Sequence, residues 1–221
     1  LKRTETQCFA YSKDVLGPEV DSSKALGSVT FVTVDLIPWA ICNWHFFQSG
    51  DIGVAHNTHK LPVSINENLI RLNKKDAIQS KYNSDLCFVR VTDAESIKKV
   101  NFLKKNRMVT WNPDSTSFTC FGFDPKDFVS PVASQSSTVV DKSTDDNVSI
   151  AGKYTTTLGS CGSQIYVKGE WVGIHYLFDG KNYNHFIPFT SDVMSEFKQH
   201  SKPAKAKSAV EEVTSMSWAD M

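Results

Sequence analysis

A chain of 221 residues carries 24 basic and 24 acidic side chains, so its net charge of zero argues against a uniformly basic nucleic-acid-binding surface and leaves room only for a local patch. The length suffices for one large domain or two small ones without staples. Cys8, Cys42, Cys87, Cys120 and Cys161 are odd in number and form no C-x-x-C pair, which points to free thiols in a reducing compartment.

Along the chain, "LKRTETQCFAYS" lacks the apolar core of a signal peptide, and no run of about 18 apolar residues follows, so a soluble, cytosolic chain without a membrane span is expected. A start at Leu1 reads as a trimmed end or a piece cut from a longer precursor. Next come "SVTFVTVDLI", "WAICNWHFF", "LPVSINENLI", "DLCFVRV" and "RMVTW", short runs rich in β-branched and aromatic residues. "SFTCFGF", "QIYVKGEWVGIHYLF" and "HFIPF" continue the pattern, and Gly, Asn, Asp, Ser and Pro punctuate it throughout. This is the rhythm of an all-β sandwich or barrel. Trp111 to Ser117 reads as the connection between two β units, and "SPVASQSSTVVDKSTDDNVS" as an exposed loop or ribbon. Only "SDVMSEFKQHS" predicts a helix, with Ser191 as N-cap, and "SKPAKAKSAVEEVTSMSWADM" predicts a mobile tail.

Within this pattern Cys161 stands between two glycines in "LGSCGS". Glycine permits torsions that a Cβ forbids, so the amides of Gly159, Ser160 and Cys161 could converge beside the sulfur as donors for an oxyanion. A tight turn with an incidental thiol is the alternative. A thiolate nucleophile also needs a base and a group to orient that base. His45 ends an apolar strand in "PWAICNWHFF", His56 and His59 lie in a polar stretch that reads as solvated, and His185 and His200 show no partner in sequence. Asp85 heads the apolar strand "DLCFVRV", where it could face His45, with Asp76, Asp93 and Glu95 as competing carboxylates.

Taken in order, "NWH", "DLCFVRV", "GSCGS" and "GIH" resemble the chymotrypsin-like cysteine proteases of positive-strand RNA viruses, those of the picornaviral 3C class and, more closely, the potyviral NIa proteases. The match runs from about Ser28 to Phe197 at the level of motifs. It implies a trypsin-like double β-barrel with the site in the inter-barrel cleft, a short C-terminal helix and a flexible tail. The implied limits are 1–110 for an N-terminal barrel carrying His45 and Asp85, 111–117 for a connector, 118–200 for a C-terminal barrel carrying Cys161 and His175, and 201–221 for the tail.

The resemblance also implies a catalytic triad of His45, Asp85 and Cys161, with the oxyanion on the amides of Gly159 to Cys161. It implies cleavage of a viral polyprotein after Gln or Glu, selected by Thr156 and His175, with Gly173 leaving room for the substrate backbone. No cofactor or metal is needed, and the host cytoplasm, with the nucleus as an alternative, is the expected location. Gln164 departs from the pattern, since Pro frequently stands there in potyviral relatives, and the final "SWADM" does not read as a product of cutting after Gln or Glu. Two rival readings remain. A protease-fold module could bind viral RNA or a polymerase through Lys74/Lys75, Lys98/Lys99 and Lys104/Lys105, and His56 with His59 could hold a metal with cysteines, although H-x-x-H alone is a weak signal.

Overall fold

Strands that are apolar on both faces need two layers to bury them, and in this chain they have two. The structure is a computed structural model that describes residues 6–12, 25–56, 69–124 and 127–202. Side chains alternate across β2 (Gly27–Val34), β3 (Ile37–Asn43) and β7 (Leu86–Arg90). Phe31, Ala40, Cys42, Cys87 and Val89 enter one apolar cluster, while Val32, Trp39, Ile41, Leu86 and Phe88 enter a second. With β1 (Cys8–Ser12), β4 (Ile52–His56), β5 (Ile70–Leu72) and β6 (Ala77–Gln79), these strands form an antiparallel sheet in the order β5-β4-β1-β2-β3-β7-β6.

The C-terminal half repeats the scheme. Its strands are β8 (Phe118–Asp124), β9 (Asp127–Ser136), β10 (Val140–Asp141), β11 (Ile150–Gly152), β12 (Gln164–Val167), β13 (Glu170–Phe178) and β14 (Asn184–Pro188). They form a second seven-stranded antiparallel sheet, ordered β10-β11-β14-β13-β12-β8-β9. Ile165, Val172 and Phe186 fill its own core with Trp111 and Phe118, while Tyr166, Trp171, Ile174 and Ile187 face the first sheet's second cluster. Each sheet curls into a half-barrel, and their outer faces share the apolar layer between them. The architecture is the all-β, trypsin-like double barrel.

Three local expectations need correction. Ala94–Phe102 is a helix, α1, capped by Asp93, whose side chain accepts from Ser96 N at 3.0 Å. The only helix expected does form, as α2 (Ser191–Ser201), but its cap is Thr190, which accepts from Val193 N at 3.2 Å; Ser191 is already helical. Trp111 is buried in the second core, and the chain joins that barrel as early as Met108, which bridges to Trp171. Of the Ser/Thr-rich stretch 130–149, residues 130–136 belong to β9, which pairs with β8, and Val140–Asp141 form β10. The tail from residue 203 onward and His59 lie outside the described residues.

Polar ties fix how the barrels meet. Gln164 is buried and donates to Thr30 Oγ1 at 2.8 Å and Thr6 Oγ1 at 3.1 Å, while its own carbonyl accepts from Tyr166 OH. The residue that departs from the potyviral pattern is therefore a hub between barrels. Gln164→Leu should lower stability by about 1–3 kcal/mol, because buried polar groups lose their shared partner, and a thermal melt should show it as a fall of several degrees. From the other end of the chain, α2 lays Phe197 against Trp39 and Phe88 at ring separations of 5.6 and 5.0 Å. Its Glu196 accepts from Ser80 Oγ at 2.6 Å and Lys81 N at 2.8 Å. Val148 N donates to Tyr82 O at 2.7 Å, so the loop just before β7 is held by α2 and by the second barrel together.

Candidate active site

That loop ends in Asp85. Strand β3 ends at Asn43, and the next four residues, Trp44–Phe47, turn in a single 3-10 coil anchored by Trp44 N donating to Asp85 O at 2.7 Å. His45 therefore sits on a turn rather than on a strand end. Its amide donates to Asp85 Oδ1 at 3.0 Å, and its Nδ1 lies 2.9 Å from both carboxylate oxygens. The competing acids have other partners: Asp76 accepts from Thr92 Oγ1 at 2.7 Å, Asp93 caps α1, and Glu95 pairs with exposed Lys98.

Cys161 reaches His45 from the other barrel. The nucleophile turn is pinned by Ser28 N donating to Cys161 O at 2.8 Å and Gly162 N donating to His175 O at 2.8 Å. Gly159 and Gly162 adopt φ of 91° and 84°, and a Cβ on Gly162 would stand 2.0 Å from Ser28 O, so both glycines are required by the backbone path. Opposite them, a Cβ on Gly27 would meet Cys161 O at 2.2 Å. The hydrogen bond to Asp85, then that to Cys161, raises the pKa of His45 to about 10, against the opposing effect of burial. The other four cysteines are buried. Burial pushes the thiols of Cys8 and Cys87 well up and that of Cys120 to about 12. Only Cys161 is open to solvent.

Two of the expected site residues, the donor Ser160 and the spacer Gly173, are engaged elsewhere. Ser160 N donates to Thr157 O at 3.0 Å, which leaves the amides of Gly159 and Cys161 without an acceptor among the described residues. Gly173 lies inside the sheet, paired with Ile165 on one side and Pro188 on the other. A Cβ there would meet Ile187 O at 2.5 Å, so the glycine serves strand packing and offers no free edge to a substrate.

His175 is buried, with Nδ1 2.7 Å from Tyr154 OH. Burial, with a smaller contribution from the charge of His185, lowers its pKa to about 3, so the ring is neutral. Thr156 Oγ1 donates to Asn184 Oδ1 at 2.7 Å, and Asn184 Nδ2 donates in turn to Tyr154 O. The Thr156 proton is thus committed inward, and the hydroxyl presents a lone pair elsewhere. Tyr154 and Asn184 carried no signal in sequence, since each meets its partner across 21 or more residues. Of the remaining histidines, His56 is buried at the end of β4 rather than solvated, and His185 has a partner, Asp179 Oδ2 at 3.2 Å.

Because Asp85 is the main cause of the raised His45 pKa, Asp85→Ala should move the titration of that ring down from about 10 toward 6.5, as read by NMR of the imidazole protons. An unmoved titration would separate Asp85 from His45.

No protein-family model and no curated protein sequence matches the chain. Solved structures do. Tobacco etch virus protease is 17% identical, with a TM-score of 0.56 over 89% of this chain and 78% of its own. A human pathogenic astrovirus serine protease is 11% identical, with a TM-score of 0.57 over 86% and 92%. A scabies mite protease paralogue described as inactivated is 14% identical, with a TM-score of 0.58 over 91% and 97%. That an inactivated relative fits as well as active ones means the likeness shows the fold alone. The chain has the chymotrypsin-like fold that viral proteases share.

Proposed function

We propose that the chain is a cysteine endopeptidase that cuts a viral polyprotein, with Cys161 as nucleophile, His45 as base and acid, and Asp85 as the orienting carboxylate. The observation that carries this reading is one ring: His45 Nδ1 lies 2.9 Å from both carboxylate oxygens of Asp85, and Cys161, brought close from the other barrel, is the second cause of its raised pKa. A ring whose pKa is raised to about 10 holds a proton at neutral pH, which it can hand to the leaving amine.

In the reaction, Cys161, its proton already given up to His45, attacks through sulfur the carbonyl carbon before the cut, whose oxygen takes up the displaced electron pair. The amides of Gly159 and Cys161 stabilise that oxyanion, and His45 returns the proton to the nitrogen as the C–N bond breaks. Water, deprotonated by His45, then hydrolyses the thioester and frees the acid and Cys161.

The residue before the cut is assigned as Gln. A neutral His175 whose Nδ1 accepts from Tyr154 OH carries its proton on Nε2, where it can donate to the side-chain carbonyl of Gln. Thr156, its proton committed to Asn184, can accept from the Gln amide. Glu would set an anion against that lone pair and find no countercharge, which favours Gln over Glu. The host cytoplasm, with the nucleus as an alternative, is where this reading places the enzyme.

The test is a peptide mixture cut by the full chain and read by mass spectrometry beside a Cys161→Ala control. Cuts after Gln that vanish in the control support the reading. Cuts that survive in the control, or their absence from long substrates as well as short, overturn it.

A further inference from the structure

Three parts of the site converge on one side chain that no catalytic role requires. Asn43, the last residue of β3, is fully buried. Its Nδ2 donates to Asp85 Oδ2 at 3.1 Å and to His175 O at 3.3 Å. The second acceptor is the carbonyl that also receives Gly162 N at 2.8 Å, so one amide touches the acid, the strand bearing His175 and, through that shared oxygen, the turn bearing Cys161. With two acceptors on that side, the chemistry fixes which end of the amide faces them. The other end, Oδ1, is buried and finds no partner among the described residues, and it would stand 3.1 Å from a Cβ on Gly162.

A buried carbonyl without a partner is a cost that stability alone would not retain. An apolar side chain of similar shape would remove it, and neither acceptor would be stranded: Asp85 keeps the bonds from His45, and His175 O keeps Gly162 N. What would be lost is the link between barrels at the acid. Oδ2 would be held by His45 alone, and the two-oxygen contact with Nδ1 would be free to rotate.

From this geometry we infer that Asn43 is a positioning residue, which locks the orientation of the Asp85 carboxylate to the strand and turn carrying His175 and Cys161. This rests on the reading of His45, Asp85 and Cys161 given above. It assigns to one amide the task of holding both barrels' contributions in register, so that the acid, the base and the strand β13 that carries His175 cannot shift independently.

The test compares wild type, Asn43→Leu and Asn43→Ser by thermal melting, by peptide cleavage across pH, which reads the window, and by the pH profile of iodoacetamide alkylation of Cys161, the only cysteine open to solvent. A loosened Asp85 supports the His45 imidazolium less well, so the pH window in which the thiolate and imidazolium coexist should narrow from its alkaline end, where that imidazolium loses its proton. For Asn43→Leu the expected result is a melting temperature at or above that of wild type, that narrowed window, and a loss of about 100-fold that falls on kcat rather than KM. Asn43→Ser, which keeps a donor, should recover part of the window. The inference is overturned if folded Asn43→Leu alkylates and cleaves like wild type, or if activity falls only in step with melting temperature while the window is unchanged. Should Asn43→Leu fail to fold, the same profile on Asn43→Ser decides: a window as wide as that of wild type with full kcat sinks the inference, and a partly narrowed one sustains it. If instead wild-type Cys161 alkylates with the same profile as His45→Ala, the catalytic reading itself has failed.

Discussion

Cys161→Ala is expected to abolish peptide cleavage, a loss of at least about 10,000-fold, with no change in fold or melting temperature. The two halves of that expectation have separate grounds. The turn is held by backbone groups, Ser28 N on Cys161 O and Gly162 N on His175 O, and by glycine torsions at positions 159 and 162, none of which involves the sulfur. Among the described residues Sγ makes one weak hydrogen bond, to Tyr176 O at 3.8 Å, and the side chain packs at the edge of the first apolar cluster. Alanine therefore removes the nucleophile and little else. His45→Ala should cost a similar factor and the double variant no more, because residues that act as one unit do not add. Cys161→Ser should fall between wild type and alanine, since a hydroxyl gives up its proton to the same imidazole far less readily than a thiol. Cleavage by Cys161→Ala within tenfold of wild type would place the nucleophile elsewhere.

How much of this was legible in the amino-acid sequence depended on the range of the interaction. "DLCFVRV" and "WAIC" read as strands because β-branched and aromatic residues cluster there, and their lack of polar alternation is explained by a second barrel burying the outer face. Helix α1 escaped notice because only Ser96 and Val100 are buried in it, too few for an apolar period, although Asp93 ahead of Ser96 was a cap in plain sight. His45, Asp85 and Cys161 could be picked out by local setting and by resemblance. Asn43, Tyr154 and Asn184 could not, since what distinguishes them is a partner up to 132 residues away. The resemblance implies a site role for Gly173 and the flanking glycines suggest one for Ser160, but pairing with two neighbouring strands in one case and a local turn in the other leaves neither group free. Spacing along a strand says which face a residue takes; it does not say which neighbour occupies that face.

The second large effect is expected at His175. Replacing it by Leu should lower kcat/KM for a Gln substrate by about 10,000-fold, because a site built to hydrogen-bond a side chain discriminates by that order when the bond cannot form. The selectivity for Gln over Met should collapse at the same time, since both side chains would then meet an apolar wall. The fold should tolerate the change: the ring is buried and neutral, its pKa lowered to about 3, and the ties from Asn43 and Gly162 reach the backbone carbonyl rather than the imidazole. Tyr154→Phe separates binding from tautomer. It keeps the ring that stacks edge-on to His175 at 5.5 Å but removes the hydroxyl 2.7 Å from Nδ1. Without that donor the imidazole proton can shift to Nδ1, leaving Nε2 an acceptor facing the Gln carbonyl, so kcat/KM should fall about 10- to 100-fold for Gln, in line with one buried group left unsatisfied. Activity toward a weakly cut Met substrate should hardly change. Steady-state kinetics on paired Gln, Glu and Met peptides read all of this in one series. If wild type cuts Glu as fast as Gln, Thr156 and His175 do not form the pocket in the arrangement drawn here, whereas an equal loss on Gln and Met in Tyr154→Phe would make Tyr154 a packing residue and nothing more.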